Sequence, residues 1–384
     1  MKVVIAPQSF KGSISALDAA KAMDEGVRRV VSDVETVLVP VADGGDGTLE
    51  TLVEATGGAI RSVTVTDPIG RPVTAEWGAL GDGGTAMIEM ARTSGLALLS
   101  LDERDPLGTT TYGLGEVIGE ALDAGFRSFI VGIGGSATND AGAGMAQALG
   151  VRLLDETGND LPPGGAALAD LRRIDTSGLD KRAVEAQFSV ACDVSNPLTG
   201  PEGASAVYGP QKGATPDIVT QLDAALKNFS KVVERDIETS INDVPGSGAA
   251  GGLGGGMMAF LGGSLRAGVD IVLDQVGLDE KLEGADLVIT GEGQVDFQTV
   301  YSKAPIGVAW RAKERGIPVV AVSGSLGQGF GDVHAEGIDA VSSIVCAPMT
   351  LEEASTRGGE LIADAVAEAI RFMQVGSRVF GRSG

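Results

Sequence analysis

The sequence predicts an α/β protein built on a doubly wound parallel sheet, with a second α/β domain inserted into the first. Two observations predict this class. Strand-like apolar runs alternate with helical patterns at both ends of the chain, which is typical of a parallel sheet covered by helices. The middle of the chain has a different sequence pattern, in which short β-like segments surround a glycine-rich centre. The length of 384 residues suits about two domains.

Two strand–helix units are predicted at the N-terminal end. Residues 2–7 form a buried type of strand, and residues 15–31 carry apolar side chains at helical intervals, although Gly26 interrupts that pattern. Residues 35–42 predict a second strand and residues 48–55 a short helix.

The same alternation returns near the C-terminal end. Strands are predicted at residues 286–290, 318–322 and 339–346, and helices at residues 304–315 and 360–373. Together with the first two strands, they imply a parallel sheet with right-handed crossovers.

This division predicts three parts of the chain. They are a flavodoxin-like α/β domain from residues 1–62 and 285–374, an inserted α/β domain from residues 63–284, and a frayed tail from residues 375–384. A single two-lobed fold is the alternative. Within the insertion, strands are predicted near 62–66, 73–77, 86–90, 129–133 and 187–191, and helices near 114–124 and 143–149.

The charge balance limits the possible partners. With 29 basic and 52 acidic residues, the net charge of −23 repels nucleic acid and anionic membranes. An anionic substrate would therefore need local positive groups. No apolar run reaches the ~20 residues of a membrane span. The two cysteines, Cys192 and Cys346, cannot form a disulfide framework, so a cytoplasmic location is expected.

A single histidine removes whole reaction classes. Ser-His-Asp catalysis, histidine-ligated zinc and Cys-His nucleophiles all require histidine in a site. His334 lies in a polar stretch far from the motifs below, and we expect it to be a surface residue.

One cluster of candidate residues follows the predicted strands of the first domain. In the flavodoxin-like strand order, 2-1-3-4-5, ligands bind beyond the carboxyl ends of the strands, where the order reverses. Ser9 and Lys11 follow the first strand and are candidates for binding phosphate. Asp43 follows the second strand, and Glu292 and Asp296 follow the third; these carboxylates suit Mg²⁺ or substrate hydroxyl groups.

Simpler roles for these residues remain open. Lys11 could be a solvated loop lysine, and Asp43 could stabilise a turn. The expected convergence of several loops on one edge of the sheet is stronger evidence than any one of them.

The insertion holds a second cluster. The strand at residues 129–133 runs into a glycine-rich turn before a helix, which is the form of a phosphate cradle. Its candidate phosphate-binding residues are Gly134, Gly135, Ser136, Thr138 and Asn139. The turn also fits a dinucleotide fingerprint, but residues 254–259 fit it equally, and no clean second strand ends in an acidic residue about 20 residues later, as ribose binding would require. The P-loop motif is absent from the sequence.

Three later segments add candidates. Asp193 follows a predicted strand and could accept a proton from a substrate hydroxyl, or serve only as a turn carboxylate. Lys212 lies in an ordered-looking turn and is a phosphate-binding candidate. The run from Gly246 to Gly256 either approaches a ligand with its backbone or is a flexible loop. Pooled, these residues favour phosphoryl transfer, which depends on positioning and electrostatics.

At these motifs the sequence resembles the bacterial type 1 glycerate kinase family. The likeness extends to about Met373 and is carried by seven segments in order: IAPQSFKGS (5–13), PVADGGDGT (40–48), GIGGSATNDAGAGMAQALG (132–150), ACDVSNPLTGP (191–201), YGPQKGAT (208–215), GSGAAGGLGGG (246–256) and TGEGQVDFQT (290–299). The resemblance implies transfer of the γ-phosphate of ATP to D-glycerate with Mg²⁺, 2-phosphoglycerate being the favoured product. It also implies a site in the cleft between a flavodoxin-like domain and the insertion.

Roles are assigned residue by residue. Asp193, Lys11 and Asp43 are the catalytic candidates, and Glu292 and Asp296 are the metal-binding candidates. The candidates for binding the substrate acid are Asp43, Gly44, Asp193, Asn196 and Lys303.

The chain departs from the family pattern at three positions. The family usually has aspartate at Gln8, arginine at Gln294 and glycine at Ser302. A Gln8–Gln294 pair would keep a hydrogen bond but lose an ion pair, which could shift the preference among hydroxy acids.

Three rival functions remain open at this point. They are a kinase of another small hydroxy acid, a carboxylate- or nucleotide-sensing protein without catalysis, and an NAD-linked dehydrogenase. A homodimer is compatible with the sequence.

Overall fold

The structure, a computed structural model, describes residues 1–301 and 303–380. Its strands are β1 (Lys2–Pro7), β2 (Glu35–Leu38), β3 (Ala59–Thr66), β4 (Pro72–Ala79), β5 (Thr85–Glu89), β6 (Ser128–Gly132), β7 (Arg152–Leu154), β8 (Arg173–Asp175), β9 (Gln187–Ala191), β10 (Ser264–Arg266), β11 (Leu287–Gly291), β12 (Gln294–Val295), β13 (Val319–Ser323), β14 (Ser325–Leu326) and β15 (Ala340–Ser343).

The α-helices connect these strands. They are α1 (Ala16–Arg28), α2 (Thr48–Thr56), α3 (Ala91–Ser94), α4 (Tyr112–Asp123), α5 (Ala143–Ala148), α6 (Lys181–Glu185), α7 (Ala204–Tyr208), α8 (Pro216–Ile237), α9 (Ala249–Leu261), α10 (Gly268–Gln275), α11 (Leu278–Leu282), α12 (Ala304–Lys313), α13 (Leu351–Thr356) and α14 (Gly358–Phe380). Within the described part of the chain, none of them combines the length and hydropathy needed to cross a membrane.

The chain divides into two compact units. The first comprises residues 1–43, residues 50–56 and the described residues from 269 onwards; the second comprises residues 44–49 and 57–268. The residue bounds of the two domains in the sequence analysis stay a prediction, because compact units are not a test of domain boundaries. The compact units place α11 and all of α10 except its first residue in the first unit.

A parallel sheet organises the first unit. Its strand order is β2–β1–β11–β13–β15, and every neighbouring pair is parallel. Numbered within the unit, this is the predicted order 2-1-3-4-5, so the flavodoxin-like topology is confirmed. The carboxyl ends of these strands therefore lie along one edge, which positions the loops that follow them.

Helices cover both faces of this sheet. Val3 and Ile5 of β1 share a core with Met23 of α1 and Val366 of α14. The helix α12 also contacts β1, β11 and β13. Because successive side chains of a strand point to opposite faces, Val4, which is fully buried, faces away from the core of Val3 and Ile5.

Gly26 is explained by the packing of α1 against α14. A Cβ atom at Gly26 would lie 2.5 Å from the carbonyl oxygen of Ala363 and 2.8 Å from Cβ of Val366. The residue that interrupts the apolar pattern of α1 thus permits the close approach of two helices.

A mixed sheet organises the second unit. Its strand order is β10–β9–β6–β5–β4–β3, in which β3, β4 and β5 pair antiparallel and the rest pair parallel. Aromatic side chains anchor its core: the Phe129 and Phe188 rings stack at 4.6 Å, and Trp77 meets Phe126 edge-on at 5.3 Å.

The local structure differs from the sequence prediction at several places. The tail predicted after Met373 is helical as far as Phe380, where α14 ends, and residues 381–384 lie outside the described residues, so its fraying stays a prediction. The flexible-loop interpretation of residues 246–256 is wrong, because most of that run is buried and enters α9. The long helix α8 is missing from the sequence prediction, although Thr215 caps it and Pro216 occupies its first turn.

The two exchanges Gly26→Ala and Gly119→Ala should change stability in opposite directions. Gly26→Ala should destabilise the protein by about 1–3 kcal/mol, because the new methyl group overpacks the α1–α14 contact. Gly119, inside α4, has open space within 4 Å of the position that a methyl group would take, so Gly119→Ala should stabilise by about 0.5–1 kcal/mol. Guanidinium unfolding of both variants measures this, and equal effects would contradict the packing explanation.

Candidate functional site

The first unit gathers the predicted residues Lys11, Asp43 and Glu292 at the carboxyl edge of its sheet. These residues follow β1, β2 and β11, which are neighbours in that sheet. Lys11 is exposed, Asp43 is half-buried and Glu292 is buried. Ser9, which is half-buried, follows β1 as well. The expected convergence of these loops on one edge is confirmed, whereas the roles of the residues remain predictions.

Glu292 is the most perturbed carboxyl group of this edge. Its Oε1 accepts a hydrogen bond of 2.8 Å from the Thr299 hydroxyl. Burial, helped by the nearby charges of Asp43 and Asp296, raises the pKa of Glu292 to about 7, although the Thr299 hydrogen bond and the charge of Lys303 act in the opposite direction. A carboxyl group in this state is easily ionised by an added cation.

Asp296 is held by its own loop. Its Oδ1 accepts a hydrogen bond from the Gln298 amide, and its Oδ2 accepts one from Nε2 of Gln294, both at 2.8 Å. Gln294 also accepts from the Ser325 hydroxyl at 3.5 Å. Gln8 is buried, and its Oε1 has no hydrogen-bond partner within residues 1–301 and 303–380. The hydrogen bonds of Gln294 thus do not show the suggested Gln8–Gln294 pair, and Ser302 lies outside the described residues.

A cavity of about 230 Å³ lies in the second unit, beyond the carboxyl ends of β6 and β9. The strands β6 and β9 pair in parallel, so the loops that follow them meet at one edge. The cavity is lined by Gly44, Gly45, Ile133, Gly134, Gly135, Ser136, Ala191, Cys192, Asp193, Val194, Tyr208, Gln211, Lys212, Ala249 and Ala250. The glycine-rich turn and the two later candidates, Asp193 and Lys212, thus share one cavity.

Lys212 is buried although it lines this cavity. Its Nζ donates to the Thr138 carbonyl oxygen at 2.6 Å and to the Ser136 hydroxyl at 3.2 Å. Burial lowers the pKa of Lys212 to about 7, and the charge of Asp140 partly offsets that effect. A lysine ammonium has three N–H groups, so one remains for a ligand.

The buried carboxylate of Asp140 stabilises the glycine-rich turn through hydrogen bonds. The residue is fully buried, and its carboxylate accepts hydrogen bonds from the amide and hydroxyl of Thr111 and from the amides of Gly142 and Gly144. Burial raises the pKa of Asp140, while these hydrogen bonds favour its charged form. The carboxylate fixes the start of α5 and thereby the turn that precedes it.

Backbone strain is concentrated beside the cavity. Ala141 and Ala250 have φ angles of 51° and 54°, in the left-handed region that non-glycine residues rarely adopt. Gly251 follows with φ of 70°, and a Cβ atom there would lie 2.0 Å from the Thr138 carbonyl oxygen, the acceptor of Lys212. Each left-handed alanine costs about 1–2 kcal/mol, which the surrounding packing must offset.

Asp193 lines the cavity, and its carboxylate is oriented by a residue that does not line it. Its Oδ1 accepts a hydrogen bond of 2.8 Å from the amide of Gly268. A carboxylate has about four acceptor positions, so one that is fixed in this way can also accept from a substrate hydroxyl. Cys192 lies beside it, and burial raises the pKa of its thiol, so Cys192 is a poor nucleophile.

Three residues that were predicted as site residues in the second unit do not line its cavity. The Thr138 side chain is buried, and the Asn139 side-chain amide donates to the Ser205 hydroxyl. The Asn196 side chain donates to the Glu202 carbonyl oxygen and accepts from the Tyr208 hydroxyl. Of these contacts, the one between Asn196 and Tyr208 reaches a lining residue. Sequence reasoning in turn missed four contributors. Tyr208 and Gln211 lie in the quoted YGPQKGAT motif, and Asp140 and Thr299 lie in two others, so the motifs were a usable signal.

The comparisons with known proteins agree with these motifs. The family model described as "Glycerate kinase family" matches residues 3–374. The chain is 52% identical over 360 residues to the glycerate kinase of Bacillus subtilis (strain 168), covering 94% of each chain. It is 50% identical over 354 residues to the glycerate 2-kinase of Escherichia coli (strain K12), covering 92% of this chain and 93% of that one.

A solved structure shows the same fold. The crystal structure of a Salmonella typhimurium LT2 protein assigned as glycerate kinase 2 matches with a TM-score of 0.91 and 49% identity. The match covers 98% of this chain and 99% of that chain.

Burial of Lys212 should make stability depend on pH. The ordinary pKa of this group is 10.5 and the folded value is about 7, so between these values the unfolded chain binds one more proton. The free energy of unfolding should therefore rise with pH in this window, by at most about 1.4 kcal/mol per pH unit. Below pH 7 the charged form is buried at its full cost.

Guanidinium unfolding of wild type and Lys212→Met above pH 7 measures this contribution. The wild-type curve should rise relative to that of Lys212→Met, whereas Lys231→Met, at an exposed lysine, should follow the wild type. Parallel curves for wild type and Lys212→Met would show that Lys212 keeps its proton on folding.

Proposed function

Because this chain belongs to the glycerate kinase family, we propose that it transfers the γ-phosphoryl group of ATP to the C2 hydroxyl group of D-glycerate, forming 2-phosphoglycerate. The observation that carries this proposal is the second-unit cavity, which joins a buried lysine and an oriented carboxylate to a glycine-rich turn. The name of the Escherichia coli relative, a 2-kinase, favours the C2 hydroxyl group.

Asp193 is assigned as the group that orients the acceptor. The Gly268 amide fixes its carboxylate, which has further acceptor positions for a hydrogen bond from the attacking hydroxyl group. Phosphoryl transfer requires the hydroxyl oxygen to lie in line with the phosphorus atom, and a fixed carboxylate provides that orientation.

Lys212 and Lys11 are assigned the role of binding the phosphates and neutralising their negative charge. Lys212 is buried beside the glycine-rich turn, where a cation interacts strongly with an anion because little water screens it. Lys11 is exposed at the edge of the first unit's sheet. In a protein with a net charge of −23, such local cations are what makes an anionic substrate acceptable.

The carboxylates of the first unit fit Mg²⁺. Within the described residues, no group of three or more His, Cys, Asp or Glu side chains could hold a metal ion. Mg²⁺ in kinases is commonly bound by one or two carboxylates together with substrate phosphates and water. Glu292, with Asp296 or Asp43, would hold the ion, which neutralises charge on the phosphates when bound.

The proposed reaction is tested directly by incubating the protein with Mg²⁺, ATP and D-glycerate. ADP should form only when D-glycerate is present, and ³¹P NMR should identify the phosphate on C2. Binding of D-glycerate or ATP without ADP formation would favour the sensing protein, and phosphate on C3 would correct the position.

Asp193→Asn should lower kcat by at least ~10²-fold with little change in ATP affinity, because the amide cannot accept the proton. Steady-state kinetics with a coupled ADP assay measures this. The control is Asp223→Asn, which alters another carboxylate that accepts a 2.8 Å bond from a backbone amide, that of Gly200. A nearly wild-type rate for Asp193→Asn would remove the assigned role.

Glu292→Gln should raise the Mg²⁺ concentration needed for half-maximal activity by about tenfold or more, because a neutral amide is a weak magnesium ligand. The matched control is Glu116→Gln, a partly buried carboxylate of the second unit that accepts from the Thr66 amide. Titration of activity with Mg²⁺ at saturating ATP distinguishes them. An unchanged Mg²⁺ requirement would show that Glu292 does not bind the ion.

A further inference from the structure

A second cavity lies in the first unit and has no role in the function described so far. Its volume is about 310 Å³, within the range of roughly 300–1,000 Å³ typical of small-molecule pockets. It is lined by Phe10, Lys11, Ser13, Gly293, Gly324, Ser325, Ile344, Val345, Met349, Thr350, Leu351, Ala354 and Ser355. Ser325 belongs to β14, and the other lining residues belong to the loops after β1, β11, β13 and β15 and to α13.

The cavity lies where nucleotides bind in doubly wound sheets. In the strand order of this unit, the sequence order reverses between β1 and β11. Ligands of such sheets bind beyond the carboxyl ends of the strands at this position. Lys11, from the loop after β1, and Gly293, from the loop after β11, both line the cavity.

Its walls suit a flat apolar group. Phe10 and Ile344 are buried, whereas Val345 is 40% exposed and Leu351 is 84% exposed. Large apolar side chains that stay exposed around a cavity mark a surface that a ligand can cover. D-Glycerate is unsuited to such walls, because each of its three carbon atoms carries oxygen, whereas a purine has two apolar faces.

Hydrogen bonds hold the walls in place. The Ser13 hydroxyl donates to the Ser355 carbonyl oxygen at 2.8 Å, which joins the loop after β1 to α13. The Gly324 amide donates to the Glu292 carbonyl oxygen at 3.0 Å, and the Ile344 amide donates to that of Ser323 at 2.9 Å. A cavity that is already formed costs little ordering when a ligand binds.

The charged residues beside the cavity are arranged as a nucleotide requires, with a cation for the phosphates next to the apolar walls and a carboxylate for the metal close by. Lys11 lines the cavity and places a cation next to the apolar walls. Glu292, a candidate for binding magnesium, directly precedes the lining residue Gly293. A base among the apolar walls would thus have its phosphates near Lys11 and the metal near Glu292.

We propose that this cavity of the first unit binds the adenosine end of ATP, with the base against Phe10, Ile344 and Leu351 and the phosphates towards Lys11. The assignment rests on the proposed function, which supplies ATP as the substrate. It makes α13 and the loop after β15 determinants of nucleotide binding, although neither belongs to the family motifs quoted above.

Ala354→Trp tests the assignment by filling the cavity. Ala354 is half-buried on α13 and lines the cavity, so an indole ring there should raise the Kd of ADP in calorimetry by at least about tenfold. The KM for D-glycerate should stay within about twofold. The matched control is Glu352→Trp, on the same helix but exposed and outside the lining, which should bind ADP as the wild type does.

The outcomes separate this assignment from the proposed function. A wild-type protein that phosphorylates D-glycerate, together with an Ala354→Trp variant of unchanged ADP affinity, would overturn the adenosine assignment alone. A wild-type protein that binds ADP without phosphorylating D-glycerate would overturn the function, while loss of ADP binding in Ala354→Trp would still support the cavity.

Photolabelling of the wild-type protein tests the same assignment without a substitution. Label from 8-azido-ATP should appear in the tryptic peptide of residues 316–357, which carries most of the lining, and ADP should compete with it. Label in the peptide of residues 128–152, which carries the glycine-rich turn of the second unit, would overturn the assignment even if Ala354→Trp failed to fold.

Discussion

Parallel pairing of neighbouring strands is the constraint on which the candidate chemistry of this protein depends. Two parallel strands need a crossover between them, so the loops that follow them emerge at the same edge of the sheet. In the first unit, β1 pairs with β11 and with β2, which places Lys11, Asp43 and Glu292 on one edge. In the second unit, β6 pairs with β9, and their loops bring Gly134 and Asp193 into one cavity.

Electrostatics explains why an acidic protein can handle anionic substrates. The net charge of −23 acts over the whole surface, but salt screens exposed charges beyond about 10 Å. The charge of Lys212, when it is protonated, is buried and therefore screened much less, so its effect on a ligand in its cavity exceeds that of the distant surface. The buried charge of Asp140 helps to keep that lysine protonated despite its burial.

The backbone conformation near the second-unit cavity allows the glycine-rich turn and the start of α9 to lie in direct contact. Ala250 and Gly251 take left-handed conformations at the start of α9, and the amide of Ala141 donates to the Gly251 carbonyl oxygen at 3.0 Å. This contact joins the glycine-rich turn to α9 without side chains between them. Strained residues of this kind persist where the surrounding structure determines them, and such places are often functional.

Strand–helix alternation and the family motifs predicted the fold class, the flavodoxin-like strand order and the loops that carry the candidate residues. Apolar periodicity and the family motifs are local signals, and the parallel topology follows from their alternation. Which residues of a motif line a cavity could be seen only in the folded protein. The tertiary structure placed Lys212 in the lining and Thr138 and Asn139 behind it, and it joined Phe10 to Leu351 across more than three hundred residues. Burial, pKa and cavity shape depend on contacts between residues distant in sequence, which no local pattern encodes.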